Sequence, residues 1–313
     1  PSYVLSGAAM NVAANEEELV EYIRNATRIS PEHSVVISKF FENAYEAEVD
    51  AISDGEDVFI GGVMEHLEYA GTHSGDATII IPPQRLTEEV VEKIKDYTVR
   101  IAKELRIVGA FNIQYLVKDS EVYVIEANVR ASRTMPFVSK TRGIPLVWLA
   151  GTLIAGRKLR ELKDSLKYNE KTIGVKVPVF SFVRLKGADP VLGVEMRSTG
   201  EVACVGYDFI NTFTKAWESS GLSLPSKNDI IFITVRDEDK PKALNLALML
   251  KEMGFTIAAT RRTRDFLASN GLRDVILVRR LSEKSEDGVD SISFLASGRI
   301  GLVINTPDLK DKS

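Results

Sequence analysis

Apolar positions along the chain follow two successive rhythms, which predict two kinds of structure. In residues 15–29, Leu19, Val20, Ile23 and Ala26 form one helical stripe, opened by Asn15 and Glu18 at capping-box spacing. Period-two alternation then predicts strands at 34–41 and 46–53, with Asp54-Gly55 as a hairpin turn into a further strand at 57–63. In the middle strand Glu46, Glu48 and Asp50 alternate with Ala47, Val49 and Ala51, so one face of that sheet is rich in carboxylates. Residues 87–106 read as an amphipathic helix whose buried stripe is Val90, Ile94, Tyr97, Ile101 and Leu105, with Thr87 as its cap. A helix over 136–153 ended by Gly156, a strand over 174–182 whose Pro178 favours a sheet edge, a loop over 184–202 and a helix over 209–219 complete this first part. After the turn-rich stretch 221–228 the order becomes strand, helix, strand, helix, which implies a small doubly wound parallel sheet. The fold class is therefore α/β in two domains, at 1–222 and 223–313.

The stretch 111–133, FNIQYLVKDSEVYVIEANVRASR, reads as two short strands joined by a turn around Asp119 and Ser120. If the connection has three residues, Gln114 lies opposite Glu126 and Asn112 opposite Asn128. A two-residue turn without a bulge would instead set Gln114 against Ile125. One carboxylate and several amide oxygens on one patch suit a hard cation such as Mg²⁺. Arg130 and Arg133 follow directly, and guanidiniums beside a metal are what phosphoryl transfer needs. The same residues also fit an edge hairpin with a solvated polar face. The loop Gly71-Thr72-His73-Ser74-Gly75 has the glycines that let backbone N–H groups approach an anion.

Composition narrows the classes. With 313 residues, 44% hydrophobic and 27% charged, the sequence is long enough to bury a large core, and its net charge of −4 with no basic run excludes a nucleic-acid footprint. No apolar run is long enough to span a membrane. Cys204 is the single cysteine, which rules out an intrachain disulfide and fits a reducing, cytoplasmic compartment. It reads as a small buried hydrophobe, Trp148 and Trp217 as packing residues, and His66 as an ordinary loop or core residue. With His66 and His73 seven apart and no further ligand cluster, zinc is not expected.

PSYVLSGAAMNV, MEHLEYAGTHSGDA, FNIQYLVK, VIEANVRASRTMPFVSK and GADPVLGVEMRSTGEV occur in the order that the carbamoyl phosphate synthetase large-subunit family has them, and the sequence resembles that family over essentially its whole length. The likeness is to the end of the second ATP-grasp half, an α+β portion with an antiparallel sheet, and to the start of the methylglyoxal-synthase-like regulatory domain. It implies phosphorylation of carbamate by ATP to give carbamoyl phosphate and ADP. Gln114, Glu126 and Asn128 fall on the family's metal ligands, with Glu126 bridging two Mg²⁺ or Mn²⁺ ions. Lys39, Phe41, Glu46, Gly71, Thr72, His73, Ser74, Gln114 and Glu126 fall on its ATP contacts, and Arg130 and Arg133 on arginines beside the transferred phosphoryl group. Lys240, Thr260 and Thr263 match positions that bind an effector's phosphate or carboxylate, and the effectors the resemblance implies are a nucleotide such as UMP or IMP, and ornithine. Without the resemblance, they read equally as a lone lysine and two helix-capping threonines.

Two departures qualify the effector. Arg279 replaces a tryptophan of the acetylglutamate pocket, and Val177 replaces a glutamate of the ornithine site, although Glu68 and Asp76 match its other carboxylates. The resemblance also implies partners: the remaining amino-terminal part of the large subunit, a glutaminase small subunit, and an oligomeric assembly. Relative to the family, the sequence starts after an ATP-binding arginine and stops inside the effector domain, so this portion is expected to bind nucleotide weakly and turn over little when isolated. A non-catalytic regulatory or assembly piece is the alternative. Another ATP-grasp ligase, such as a biotin-dependent carboxylase, is disfavoured by the trailing domain.

Overall fold

A computed structural model describes residues 10–29, 34–167, 169–181, 192–280, 283 and 287–306. Two compact units, Pro1–Gly221 and Leu222–Ser313, divide the protein. In the first, α1 (Glu16–Ile29) opens with the reciprocal cap its spacing predicts. Asn15 Oδ1 accepts from the Glu18 amide at 2.8 Å, and Glu18 Oε2 accepts from the Ala14 amide at 3.0 Å.

Seven strands form one antiparallel sheet in the order β5-β4-β1-β2-β3-β6-β7. They are β1 (Tyr45–Asp54), β2 (Val58–Tyr69), β3 (Ile79–Ile81), β4 (Val108–Lys118), β5 (Glu121–Asn128), β6 (Ile173–Val179) and β7 (Gly200–Gly206). The predicted strand at 34–41 is irregular, with Val36 and Ile37 exposed. Both edges of β1 are already taken by β2 and β4, and a β-prone segment stays a strand only where a neighbour accepts its ladder. Strand β6 is not an edge, because β7 pairs along its outer side with Pro178 opposite Glu201. Pro178 is tolerated there because β3 reaches only Gly174 to Lys176, so one side of β6 carries no ladder at the proline. The first three residues of β7 fall in the stretch 184–202 that reads as loop, of which residues 184–191 lie outside the described set. Its Cys204 is half-buried, not buried, since β7 is a sheet edge.

Helix α2 (Glu88–Glu104) covers one face of the sheet, packing Val90, Ile94 and Ala102 on Ala47, Val49 and Ala51 of β1 and on Phe111, Ile113 and Tyr115 of β4. Thr98 belongs to this buried stripe and its hydroxyl meets the Tyr115 hydroxyl at 2.7 Å. Leu105 does not: it is the C-cap, 58% exposed, and Ile107 takes over the buried position. On the opposite face, the single helix predicted over 136–153 is two. Gly143 in the left-handed region (φ 70°) closes α3 (Met135–Arg142), and Pro145 opens α4 (Leu146–Ile154). Their Met135, Val138, Leu146, Leu149 and Leu153 pack on Ile52, Met64, Ile79 and Ile81. Trp148 is 58% exposed and so does not pack there. This second face is apolar only at the α4 end: stepping along β1 from Ile52 by twos gives Asp50, Glu48 and Glu46, all buried. Helix α5 (Phe209–Ser219) closes the unit against β6 and β7.

The second unit is a five-stranded parallel sheet ordered β11-β10-β9-β8-β12. Its strands are β8 (Ile230–Val235), β9 (Thr256–Thr260), β10 (Ile276–Arg279), β11 (Val289–Asp290) and β12 (Ile300–Thr306), connected through α6 (Lys240–Glu252), α7 (Arg261–Ser269) and α8 (Ser291–Ala296). Helices α6 and α7 cover one face and α8 the other, which is the doubly wound arrangement. Among the described residues no helix is long and apolar enough to cross a membrane.

Candidate active site

The β4–β5 hairpin turns through only two residues, Asp119 (φ 51°) and Ser120 (φ 64°), with Lys118 opposite Glu121. The three-residue connection is therefore absent, and the strand register is restored by a bulge instead. Tyr115 pairs with Val124, but Gln114 pairs with Glu126 and Asn112 with Asn128, leaving Ile125 as the extra residue. Its effect is directional. Val124 shares the α2 side with Tyr115, and strict alternation would send Glu126 there too; the inserted residue turns Glu126 and Asn128 onto the polar face with Gln114 and Asn112.

Beside these amides, on the same sheet face, lies a buried charged cluster. Glu48 and Asp50 of β1 pair with Gln114 and Asn112, and the Asn112 amide donates to Glu48 at 3.2 Å and to Asp50 at 2.9 Å. His66 on β2 sits between two carboxylates, its Nδ1 3.3 Å from Glu46 and its Nε2 3.5 Å from Glu48. It is neither a loop residue nor an ordinary core residue. The Glu48 contact lacks hydrogen-bond geometry, so Glu46 makes the closer contact and Glu48 acts mainly through charge. Burial alone would drive the imidazolium to shed its proton, but Glu46 and Glu48 outweigh it and raise the His66 pKa to about 9. Burial likewise pushes the Glu48 carboxyl up, and His66, Asn112 and Lys176 together hold it below its ordinary value. Asp50, buried beside the Glu48 charge, is raised to about 6 despite hydrogen bonds from Ser132, Thr134 and Asn112. The alternating carboxylates were a visible signal that a buried counter-charge is required; which residue supplies it depends on β1–β2 register, which no local pattern reveals.

The loop after β2 closes over this cluster. The Gly71 amide donates to Glu46 Oε1 at 3.3 Å, and a side chain on Gly71 (φ 102°) would meet the Phe40 ring. Gln114 Nε2 reaches Ser74 Oγ at 3.4 Å, and His73 Nδ1 accepts from the Gly75 amide at 2.9 Å. Burial, then the nearby Arg133 charge, lower the His73 pKa, which favours the neutral ring. Thr72 stands half-buried in the same loop. Glu126 Oε1 accepts from Asn128 Nδ2 at 2.8 Å, and Asn128 Oδ1 accepts from Arg130 Nη2 at 3.2 Å. Arg133 Nη1 lies 2.9 Å from Met196 Sδ, against Gly75. Lys39 sits over the Phe41 ring at 5.0 Å, and that ring packs 5.0 Å from Tyr123 near the hairpin tip. Glu46, the 71–74 loop, Gln114, Glu126, Asn128, Arg130 and Arg133 thus share one end of one sheet face, with Lys39 and Phe41 beside it.

The donor set fits a hard divalent cation. Glu126 is exposed and offers a carboxylate, and Gln114 and Asn128 offer amide oxygens, leaving coordination positions for water and phosphate as Mg²⁺ prefers. Among the described residues no three His, Cys, Asp or Glu cluster as a closed metal cage.

In the second unit, Lys240, Thr260 and Thr263 gather at the carboxyl ends of β8 and β9. Lys240 Nζ pairs with Asp237 at 2.7 Å, and Thr260 Oγ1 lies 3.2 Å from Thr234 Oγ1. Thr263 does not open its helix: Thr260 is the N-cap, and the Thr263 hydroxyl is turned inward to the Val235 backbone at 3.4 Å.

An antiparallel sheet of this kind is shared with ATP-grasp domains. The protein resembles the biotin carboxylase domain of Hydrogenobacter thermophilus 2-oxoglutarate carboxylase, solved with MgADP, ADP and bicarbonate (19% identity, TM-score 0.55, covering 70% of the present sequence and 55% of that one). Biotin carboxylase from Campylobacter jejuni, solved as a β-γ-ATP complex, is similar in fold (16% identity, TM-score 0.55, 69% and 55%). Sequence carries the assignment further. Residues 1–162 match the family described as carbamoyl-phosphate synthase L chain, ATP binding domain, and residues 242–313 match the MGS-like domain. The carbamoyl phosphate synthase large chain of Archaeoglobus fulgidus is 50% identical over 311 residues, a match that takes in 99% of the present sequence and 28% of that protein. Two relatives described as carboxy-terminal sections of the same enzyme's large chain, from Methanocaldococcus jannaschii (47% identity, 98% and 50%) and Aquifex aeolicus (44%, 99% and 60%), align equally fully. The protein belongs to the carbamoyl-phosphate synthase large-chain family, and it spans between 28% and 60% of the length of these curated relatives.

Proposed function

We propose that the first unit transfers the γ-phosphoryl group of ATP to carbamate, yielding carbamoyl phosphate and ADP, as part of a carbamoyl phosphate synthase large chain. One observation carries this reading: a bulge at Ile125 brings Gln114, Glu126 and Asn128 onto one face beside Arg130 and Arg133. In the step, a carbamate oxygen forms a bond to the γ-phosphorus as the bond to the β–γ bridging oxygen breaks, and ADP leaves with that electron pair. Arg130 and Arg133 stabilise charge on the transferred group, and neither needs to move a proton. Glu126, Gln114 and Asn128 would hold two divalent ions, Mg²⁺ or Mn²⁺, which would screen phosphate charge when bound. Glu46 accepts hydrogen bonds from ribose hydroxyls, the backbone at Lys39 and Phe41 meets the adenine edge, and the loop from Gly71 to Ser74 lines the nucleotide.

The boundary falls near residue 222, and the second unit acts as an effector module with Lys240, Thr260 and Thr263 in the pocket. Its match to the MGS-like domain supports this. The amino-terminal part of the large chain, a glutaminase subunit and an oligomeric, cytoplasmic assembly go with the reading. Titrating Mg-ATP against the protein with and without that amino-terminal part tests it: joint binding and carbamoyl phosphate formation are expected. Binding or turnover unchanged by the second polypeptide would leave the regulatory reading.

A further inference from the structure

We infer that Asp50 is a positioning residue for Arg133, holding the arginine-bearing segment at a fixed place relative to the hairpin that carries Glu126. This rests on the phosphoryl-transfer reading above. Asp50 is fully buried on β1, and its carboxylate is met by neutral donors from two directions. Asn112 of β4 donates to Oδ1 at 2.9 Å, Ser132 Oγ donates to the same oxygen at 2.6 Å, and Thr134 Oγ1 donates to Oδ2 at 2.7 Å. Ser132 Oγ in turn accepts from the Met135 amide at 2.9 Å, so the start of α3 is tied into the same knot. Arg133 is the residue between the two clamped hydroxyls. Asn112 pairs with Asn128, which holds both Glu126 and Arg130. One carboxylate therefore links the arginine segment to the strand pair that presents the cation-facing side chains.

Burying a carboxylate against neutral donors is costly, and the next inward position on β1, Ile52, shows that an apolar residue serves packing alone. The geometry gives that cost a use. Arg133 itself is exposed, its guanidinium meeting Met196 and lying against Gly75, so its placement depends on the backbone beneath it.

The test uses this protein together with the amino-terminal part of the large chain, measuring ATP formed from MgADP and carbamoyl phosphate. Thr134→Val keeps the shape of the side chain and removes a donor, while Thr134→Ser keeps the donor. Asp50→Asn and Thr134→Val are expected to lower kcat about 10- to 100-fold, the scale of a misplaced catalytic group, with the KM for MgADP within about twofold. Thr134→Ser should stay near wild type, and adding Thr134→Val to Asp50→Asn should cost less than about threefold more, because both act through one clamp. Wild-type kcat in Thr134→Val, equal losses in Thr134→Ser and Thr134→Val, or a rise in KM with kcat untouched would overturn the inference. If Asp50→Asn fails to fold, the two Thr134 variants decide. If the wild-type assembly makes no ATP, the phosphoryl-transfer reading itself fails, which separates the two outcomes.

Discussion

Raising the pH should unfasten the buried cluster beside the candidate site, because the cation between Glu46 and Glu48 is a histidine. His66 is raised from 6.5 to about 9 by Glu46 and Glu48 against the opposing effect of burial. A folded-state pKa above the unfolded value means the proton binds more tightly to the folded protein. The stabilisation is then fully present below about pH 6.5 and is lost as pH rises through 9. At 1.36 kcal/mol per unit, the difference amounts to about 3 kcal/mol, an order-of-magnitude figure for so buried a group. Both tryptophans, Trp148 and Trp217, lie in the first unit, so urea unfolding followed by tryptophan fluorescence reports on the unit that holds His66. The midpoint should fall steadily between pH 7 and 9.5. In His66→Leu the protein should be weaker by about 3–5 kcal/mol at pH 7, since two carboxylates lose their buried partner, and the alkaline decline should vanish. A wild-type midpoint that is flat over this range, or a His66→Leu variant that declines just as steeply, would refute the reasoning.

Other consequences are equally direct. Deleting Ile125 removes the bulge but sets Glu126 directly after Val124, so a regular ladder still pairs Glu126 with Gln114 on the polar face; metal-dependent nucleotide binding in the assembly with the amino-terminal part should stay within about threefold of wild type, and a loss of about 100-fold or more would show that the face Glu126 occupies is not the determinant. Thr98→Val leaves the Tyr115 hydroxyl, already held near a pKa of about 12 by burial, without its partner, and should cost about 1–3 kcal/mol in urea unfolding. For the second unit, UMP or IMP should raise the melting temperature by several degrees at saturating concentration, and Lys240→Ala should abolish the shift; no shift with either nucleotide would remove the pocket.

Much of this architecture is legible in local sequence because its determinants are local. Asn15 and Glu18 cap α1 by contacts within four residues, and the stripe from Val90 to Ile101 needs only helical periodicity. The parallel second unit follows from its strand–helix alternation. What escapes is set by distant partners or by single-residue irregularities. Ile125 breaks an alternation that it cannot announce, since one inserted residue leaves composition and mean period unchanged. His66 becomes a buried cation only because β1 and β2 pair in a register that brings Glu46 and Glu48 to it. Strand β7, with glycines at both ends and a partly exposed pattern, lacks the hydrophobic contrast that marks β1. The stretch 34–41 has that contrast but no free strand edge beside it on β1. The candidate side chains themselves are legible in part from the hairpin face and in part from family resemblance; the hydroxyl clamp on Asp50 is in neither, because its donors come from β4 and from residues 82 and 84 positions away.

The most direct test of the central claim is transfer of a labelled γ-phosphoryl group from ATP to carbamate by this protein together with the amino-terminal part of the large chain, comparing wild type with Glu126→Gln. Label should appear in carbamoyl phosphate with the wild type and be lost with the variant, while unfolding of the exposed-site variant stays within about 0.5 kcal/mol of wild type. Undiminished label transfer by Glu126→Gln would contradict the assignment of this hairpin as the phosphoryl-transfer site.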